Sequence, residues 1–436
     1  MASQTRGRLE FGDRDVLDAS LSDCARGLVG SEILKIASDI REFVRGGASV
    51  CNLTVGDFDS RQFPIPESLL RGIQAALVAG ETNYPPSNGV LELRRAVVSY
   101  VERDWGVAYP LESVLIAGGA RPILYAAYRC ILNPGEKVVY PVPSWNNNHY
   151  GWLAQANGVG VETRPEDGFM PTLELLAPHL GDARLVCLNS PLNPTGTVIE
   201  RDVLRQITAA VVRENEKRAA AGRRALFLLY DSVYGSLVFR DVEHHVPTAL
   251  VPESAPWVVC LDGISKAFAS TGLRVGWLLA APPVTRRIQD ILGHIGAWAP
   301  RAEQVALAAF LRDGDAVEAY KAQMAMRVRE RLECAYDGFI EMRQAGYPVD
   351  CVSPQGAIYL SLHVDVIGRR YAGRRIESNE QLRQLLLDHA GFAVVPFQAF
   401  GLDAETGWFR ISVGAVSMDD IRAAFPRVRR VLDNLV

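Results

Sequence analysis

Trp257-Val258-Val259-Cys260-Leu261-Asp262-Gly263-Ile264-Ser265-Lys266 runs five apolar residues into an acidic, glycine-bearing turn that ends on a lysine. A short apolar run bounded by a turn signal predicts a buried strand over 257–261. The turn sets Lys266 just beyond the strand's carboxyl end, and Arg274 follows eight residues later between Gly272 and Gly276. A serine and an arginine near such a lysine can bind a phosphate through a hydroxyl, a charge and a forked guanidinium. A lysine after a strand is also an ordinary solvated surface residue, so this stretch alone leaves both readings open.

Outward from this strand the pattern alternates. Strands are expected at 113–116, 137–140, 184–188, 226–230 and 275–280, and helices at 67–79, 91–103, 121–132 and 201–219. Strands alternating with helices imply an α/β fold with a mostly parallel, doubly wound sheet whose ligands lie at the carboxyl ends of the strands. Before this region, residues 1–30 read as an arm. Ser31 then caps a helix with Ile33, Leu34, Ile36, Ala37, Ile40 and Phe43 on its apolar side, stopped by Gly46-Gly47. A strand at 50–55 follows, broken by Gly56-Asp57.

After Pro300 the texture changes to long helices over 302–345, short strands at 357–362 and 409–413, and a final helix at 418–435. The expected division is an arm with part of a small domain (1–60), a large domain (61–310) and a smaller α+β C-terminal domain (311–436). The basic stretch 366–376 reads as a solvated surface insertion rather than an anion site.

With 436 residues, 48% hydrophobic and 22% charged, the chain has the balance of a globular protein of two or three domains. The net charge of −4 shows no overall bias towards nucleic acid. Seven scattered cysteines without a C-x-x-C pair read as free thiols of a reducing compartment. The first sixteen residues have no apolar leader core, and no apolar run approaches the ~20 residues of a membrane helix. A cytoplasmic protein is expected.

Four further segments can carry chemistry. Asp231 ends the strand at 227–230, with Tyr234 three residues on. A carboxylate there can pair with a protonated pyridine nitrogen, or it can be a helix N-cap. Asn189-Ser190-Pro191-Leu192-Asn193-Pro194-Thr195-Gly196 follows the strand at 184–188, and its prolines and glycine hold the Asn193 amide rigidly. Gly118-Gly119-Ala120-Arg121-Pro122 joins a strand to a helix. Its small residues let N–H groups at the helix start approach a phosphate, or merely form the turn. Pro143-Ser144-Trp145 puts a flat ring in a constrained loop, where it can stack on a flat ligand or fill the core.

In this order and at these intervals the segments resemble the class I/II aminotransferases, the fold type I enzymes that depend on pyridoxal 5′-phosphate (PLP). The resemblance extends from about residue 31 to the C-terminus. It implies that Lys266 holds PLP as a Schiff base and later carries the proton, and that Asp231 partners the pyridine nitrogen. It implies that Asn193 and Tyr234 bond the ring's phenolic oxygen, and that Gly119, Ala120, Arg121, Ser265 and Arg274 form the phosphate cup. Trp145 matches the ring-stacking position. Tyr84, in Asn83-Tyr84-Pro85-Pro86, matches a tyrosine that reaches the neighbouring subunit's phosphate, which implies a homodimer with shared active sites. Arg410, in Trp408-Phe409-Arg410-Ile411-Ser412, matches the arginine that grips the substrate α-carboxylate, and Gly56 matches the backbone that closes over substrate.

The implied reaction moves an amino group between an L-amino acid and a 2-oxo acid. A lyase, a β/γ-replacement enzyme or an amino-acid cyclising enzyme would use the same residue set. A transcription regulator with such a domain would need a DNA-binding module, and the ~30-residue arm is too short for one. In dicarboxylate-specific relatives a second arginine comes from the partner subunit. Here the matching stretch, Leu292-Gly293-His294-Ile295-Gly296-Ala297-Trp298-Ala299-Pro300, has no arginine, which argues against ordinary aspartate specificity. His294 and Trp298 are the candidates for side-chain recognition, with core filling the alternative for His294. Arg61 is a candidate distal charge and His149 a candidate neighbour behind Asp231. His244-His245 reads as a surface loop.

Overall fold

Alternating burial explains the main sheet of the computed structural model, which describes residues 9, 12–28, 30, 32–45, 47, 49–239 and 242–436. Along the strand Val258–Gly263, Val258 and Cys260 join one apolar cluster and Val259 and Leu261 another. Successive strand residues point to opposite faces, so a run without polar breaks must be covered on both sides. One face is covered by helices Leu91–Trp105, Arg201–Ala220 and Arg301–Arg312, through Val97, Ile207 and Leu307. The other is covered by helices Ala120–Ile131 and Pro282–His294, through Ile123 and Ile288.

The sheet has seven strands: β1 (Val114–Ala117), β2 (Lys137–Val142), β3 (Asn157–Glu162), β4 (Ala183–Asn189), β5 (Phe227–Asp231), β6 (Val258–Gly263) and β7 (Gly276–Leu279). Their spatial order is β1-β7-β6-β5-β4-β2-β3. All neighbours are parallel except that β7 runs antiparallel to both β1 and β6. The expected α/β sheet is therefore present, with the carboxyl ends of β4, β5 and β6 side by side. Strand β3 escaped the sequence reading because it lies at the edge, with two glycines and exposed alternate positions.

A third apolar cluster surrounds the long helix Gly314–Gln344 and includes Val328, Leu332 and Phe339. It packs against an antiparallel sheet ordered Val395–Pro396, Trp408–Ser412, Tyr359–Val364 and Val349–Cys351, and against helices Asn379–Ala390 and Met418–Asp433. The strand expected at 50–55 is shorter than its apolar pattern suggested. Only Cys51–Asn52 pairs, in parallel with Phe392–Ala393. The Leu53 carbonyl accepts the Ser412 backbone N–H at 2.8 Å, and those of Thr54 and Val55 turn to side chains, as described below.

Helix Glu32–Arg45 buries Ile36 and Ile40, while its expected cap Ser31 and stop Gly46 lie outside the described residues. The basic stretch forms a two-residue hairpin, Arg370–Tyr371 against Arg374–Arg375, with its arginines exposed as expected of a surface insertion. No helix among the described residues is long and apolar enough to cross a membrane.

Candidate active site

Strand ends and turns bring eleven of the expected residues to one cavity of about 640 Å³: Gly56, Ala120, Arg121, Trp145, Asn193, Asp231, Tyr234, Ser265, Lys266, Arg274 and Arg410. Lys266 sits in the turn of helix Ile264–Ala267 directly after β6, and its Nζ donates to the Gly56 carbonyl at 2.7 Å. Burial is the main force bringing its pKa from 10.5 down to about 8. Asp57 opposes that shift, while Arg121, Arg410 and Arg274 add to it.

Asp231 is the last residue of β5. Its carboxylate accepts only the Val233 N–H, at 3.1 Å, and so caps a turn rather than the helix weighed from sequence. No cation is paired with it among the described residues. Burial pushes its pKa up to about 7 against the pull of the Val233 N–H. Beside it, Asn189 Nδ2 donates to the Asp231 carbonyl at 2.9 Å, and Asn189 Oδ1 accepts the Asn193 N–H at 3.0 Å. The β4 loop is thereby fastened to the end of β5, and Asn193 turns its amide oxygen to Arg410 Nη1 at 3.2 Å.

Arg410 is 1% exposed. Its Nη2 donates to the Thr54 carbonyl at 2.6 Å, and Ser412 Oγ donates to the Val55 carbonyl at 2.6 Å. These contacts explain why the 50–55 segment stops pairing as a strand. Arg410 Nε is buried without a hydrogen-bond partner, and Cζ lies 4.8 Å from the Tyr359 ring and 5.0 Å from the Phe400 ring. A guanidinium held this way stays charged and offers its fork to a carboxylate.

At the other end of the cavity, Gly119 is the N-cap of helix Ala120–Ile131 with φ +97. That left-handed conformation favours glycine, and a methyl group there would lie 2.9 Å from Arg274 Cζ. Arg274 cannot easily retreat, because Nη1 donates to the Thr271 carbonyl at 2.7 Å and Nη2 to the Gly118 carbonyl at 3.1 Å. Two more glycines stack here, backbone on backbone. A methyl on Gly276 would sit 2.7 Å from the Gly119 carbonyl carbon, and one on Gly263 would sit 2.9 Å from Gly276 Cα. Arg121 Cζ lies 5.4 Å from the Trp145 ring centroid.

These residues fit the cofactor that the resemblance implies. A phosphate needs unpaired N–H groups at a helix start, a guanidinium and a hydroxyl, which Ala120 and Arg121, Arg274 and Ser265 offer; the Gly119 N–H is already given to the Ala117 carbonyl at 2.7 Å. A ring nitrogen that keeps its proton needs a carboxylate to accept its N–H, and Asp231 is a half-buried carboxylate with no cation paired to it among the described residues. An aldehyde needs an amine that is neutral near pH 7–8, which Lys266 approaches.

Other expected residues lie outside this cavity. Tyr84 is 82% exposed and meets Trp298 edge-on, with ring centroids 5.2 Å apart. His294, at the end of its helix, is exposed, so the core-filling alternative does not hold. Arg61 is exposed and paired with Asp59 at 2.8 Å. His149 is half-buried on helix Asn147–Leu153. The surface-loop reading of His244 is corrected: it stacks on Tyr230, bonds Ser232 Oγ at 2.6 Å, and is held neutral by burial, its pKa near 3.

Asp57, Thr271 and Tyr359 are among the cavity residues that were not anticipated. Asp57 and Thr271 lie beside Gly56 and between Lys266 and Arg274, so neighbourhood in sequence was a usable signal. Tyr359 had a weaker one, a polar aromatic opening a strand in which Leu360, Leu362 and Val364 alternate with Ser361 and His363.

The family profile described as "Aminotransferase class I and II" matches residues 48–428. The aspartate aminotransferase of Streptomyces avermitilis is 29% identical over 411 residues, covering 92% of this chain and 94% of that one. A bifunctional aspartate aminotransferase and glutamate/aspartate-prephenate aminotransferase of Petunia hybrida is 29% identical over 430 residues, covering 96% and 84%. Among solved structures, the aspartate aminotransferase of Rhizobium meliloti superposes with TM-score 0.86 at 27% identity, covering 95% of this chain and 99% of that chain. That of Thermus thermophilus with maleate gives TM-score 0.83 at 26% identity, covering 94% and 99%. With a profile match over most of its length and a PLP-shaped set of groups in its cavity, the chain belongs to the class I and II aminotransferases, PLP-dependent enzymes that move an amino group between amino acids and 2-oxo acids.

Proposed function

We propose that Lys266 joins the cofactor covalently and then moves the proton, with Asp231 facing the ring nitrogen. Asn193 and Tyr234 serve the phenolic oxygen, and Gly119, Ala120, Arg121, Ser265 and Arg274 surround the phosphate. Trp145 lies on the ring face, Arg410 grips the substrate α-carboxylate, and the Gly56 backbone closes over it. The observation that carries this reading is geometric: the Lys266 amine, held by the Gly56 carbonyl, and the Asp231 carboxylate, at the end of its strand, face one cavity with Arg274 and Arg410.

Bound PLP supplies an aldehyde for condensation with an amine and a ring that takes up electrons from a broken bond at Cα. The chain's own groups do the rest. Lys266 gives up its proton near neutral pH because burial and three cations disfavour its charge, and the neutral amine can attack or accept a proton. Arg410, locked by Asn193 and Thr54, fixes the carboxylate and so orients the bonds at Cα. Asp231, whose carboxylate takes only the Val233 N–H from the chain, has an oxygen left to accept the ring N–H and so hold a proton there.

We infer a homodimer with shared sites, in which Tyr84 reaches the partner's phosphate. The support is an 82% exposed Tyr84 with an aromatic neighbour, Trp298, on the same patch. The 294–298 segment would then read the side chain of a substrate bound in the other subunit. We also read residues 1–60, 61–310 and 311–436 as arm with part of the small domain, PLP domain and C-terminal small domain; the support is the cluster around helix Gly314–Gln344, which draws most of its residues from 324–432. A cytoplasmic location is supported by seven free cysteines.

The test is borohydride reduction followed by peptide mapping, then single half-reactions with a panel of amino acids. The cofactor mass should appear on Lys266, and Lys266→Ala should lose turnover. Label on another lysine would refute the assignment. The relatives' names make L-aspartate the first donor to try, and the arginine-free 292–300 stretch makes uncharged amino acids the contrast. A product that kept its amino group would exclude transamination as the main reaction.

A further inference from the structure

Tyr359 opens the strand Tyr359–Val364 and is paired in register with Ser412, two residues beyond Arg410. It is 1% exposed and makes three contacts in the cavity. Its hydroxyl lies 2.6 Å from the Tyr234 hydroxyl. Its ring lies 4.8 Å from Arg410 Cζ. Its hydroxyl also abuts the Gly56 backbone, where an added methyl would come within 2.9 Å of the oxygen.

We propose that Tyr359 is a positioning residue: its hydroxyl directs the Tyr234 O–H into the cavity, and its ring orients the Arg410 guanidinium. The proposal rests on the roles given above to Tyr234 and Arg410.

Each phenol has one proton to donate. Burial pushes both pKa values up, so both phenols keep that proton at neutral pH. Among the described residues the Tyr359 oxygen has no hydrogen-bond partner other than Tyr234. Donation from Tyr359 to Tyr234 satisfies the buried Tyr359 O–H and leaves the Tyr234 proton free to point at the ligand. The reverse direction would consume that proton and strand the one on Tyr359. In a chain of two hydroxyls the first bond also strengthens the second, so Tyr234 becomes a better donor to an oxygen bearing negative charge. For Arg410, the hydrogen bonds to Asn193 and Thr54 fix two nitrogens but leave Nε without a partner. The Tyr359 ring, at 4.8 Å, then shares with Phe400, at 5.0 Å, the contact that holds the guanidinium plane.

The experiment uses the holoenzyme and compares Tyr359→Phe, Tyr359→Leu and Tyr234→Phe. The pH midpoint of the colour change of the lysine-bound cofactor is read alongside KM and kcat for an active amino acid. Loss of a donor to the phenolic oxygen favours its protonated form. Tyr359→Phe should therefore raise the midpoint, by less than Tyr234→Phe does and by about half a unit to one unit. Tyr359→Leu should also raise KM about tenfold, the size of a desolvated cation–π contact, whereas Tyr359→Phe should raise it less. If the leucine variant melts early, Tyr359→Met repeats the ring test.

An unchanged or lowered midpoint in Tyr359→Phe, with a raised one in Tyr234→Phe, would overturn the hydroxyl role. An unchanged KM without the ring would overturn the Arg410 role. If Tyr234→Phe itself left the midpoint in place, the reading of Tyr234 would fail first and Tyr359 with it.

Discussion

Thr271 Oγ1 reaches both carboxylate oxygens of Asp57, at 2.8 and 2.9 Å. This pair ties the strap ending at Gly56, whose carbonyl holds Lys266, to the turn that carries Lys266 and Arg274. The strap and the reactive amine are therefore set by one local arrangement.

Asp57 is the group that raises the Lys266 pKa against burial and three cations. Asp57→Asn should move it below about 8, by up to about one unit. The measurement is the pH dependence of PLP incorporation into apoprotein, whose rising limb follows the neutral amine. A midpoint that stayed put would separate Asp57 from Lys266.

Asp231 should make the apoprotein's stability depend on pH in an unusual direction. Its folded pKa, about 7, is above the ordinary 3.8, so the folded state binds more protons between those values. The protonated, stabilised form is fully present below about pH 4, and its advantage fades as pH rises through 7. Asp231→Asn apoprotein should melt higher than the parent at pH 7.5, with the gap closing towards pH 4. In holoenzyme the same change should lower kcat at least a hundredfold, or roughly 3 kcal/mol. A gap that widened on acidification would show that the carboxylate is not strained by burial.

Gly119→Ala should weaken PLP binding about tenfold or more, because the new methyl must displace a guanidinium pinned by two carbonyls and holds a φ of +97. Equilibrium titration of apoprotein with PLP reads this directly. Parental affinity would mean that the turn does not face the phosphate.

Arg410→Lys replaces a fork with a point charge and abandons either the Asn193 or the Thr54 contact. KM for the amino acid should rise roughly a hundredfold, while PLP absorbance changes little. An equal loss for amines lacking a carboxylate would assign the damage to folding.

Shared sites predict complementation. Lys266→Ala and Tyr84→Ala proteins should each be impaired. Refolded together, they should give hybrid dimers with one intact site and roughly half the parental rate per dimer. Hybrids no better than the mixture of parents would place Tyr84 outside the partner's site.

Much of the fold and site was legible because the chemistry sits where strands stop. Asn189 and Asp231 each end an apolar run and are register partners, and Asp231 is paired in turn with Leu261, which ends the run before the Lys266 turn. What stayed hidden depends on contacts far apart in sequence. The 50–55 segment looks like a strand, yet its carbonyls serve Arg410 and Ser412, some 357 residues away. Tyr359 meets Tyr234 across 125 residues, and no local pattern encodes that. The outward side of His294 was equally illegible, since its apolar neighbours suggested the interior.

The stacked glycines 263, 276 and 119 limit what laboratory evolution can do with this scaffold. Where main chains touch directly, no side chain is available to vary, so random libraries at these three positions would yield mostly dead clones. New substrate preferences are better sought at the exposed side chains of His294 and Ile295, which take no part in the glycine stack.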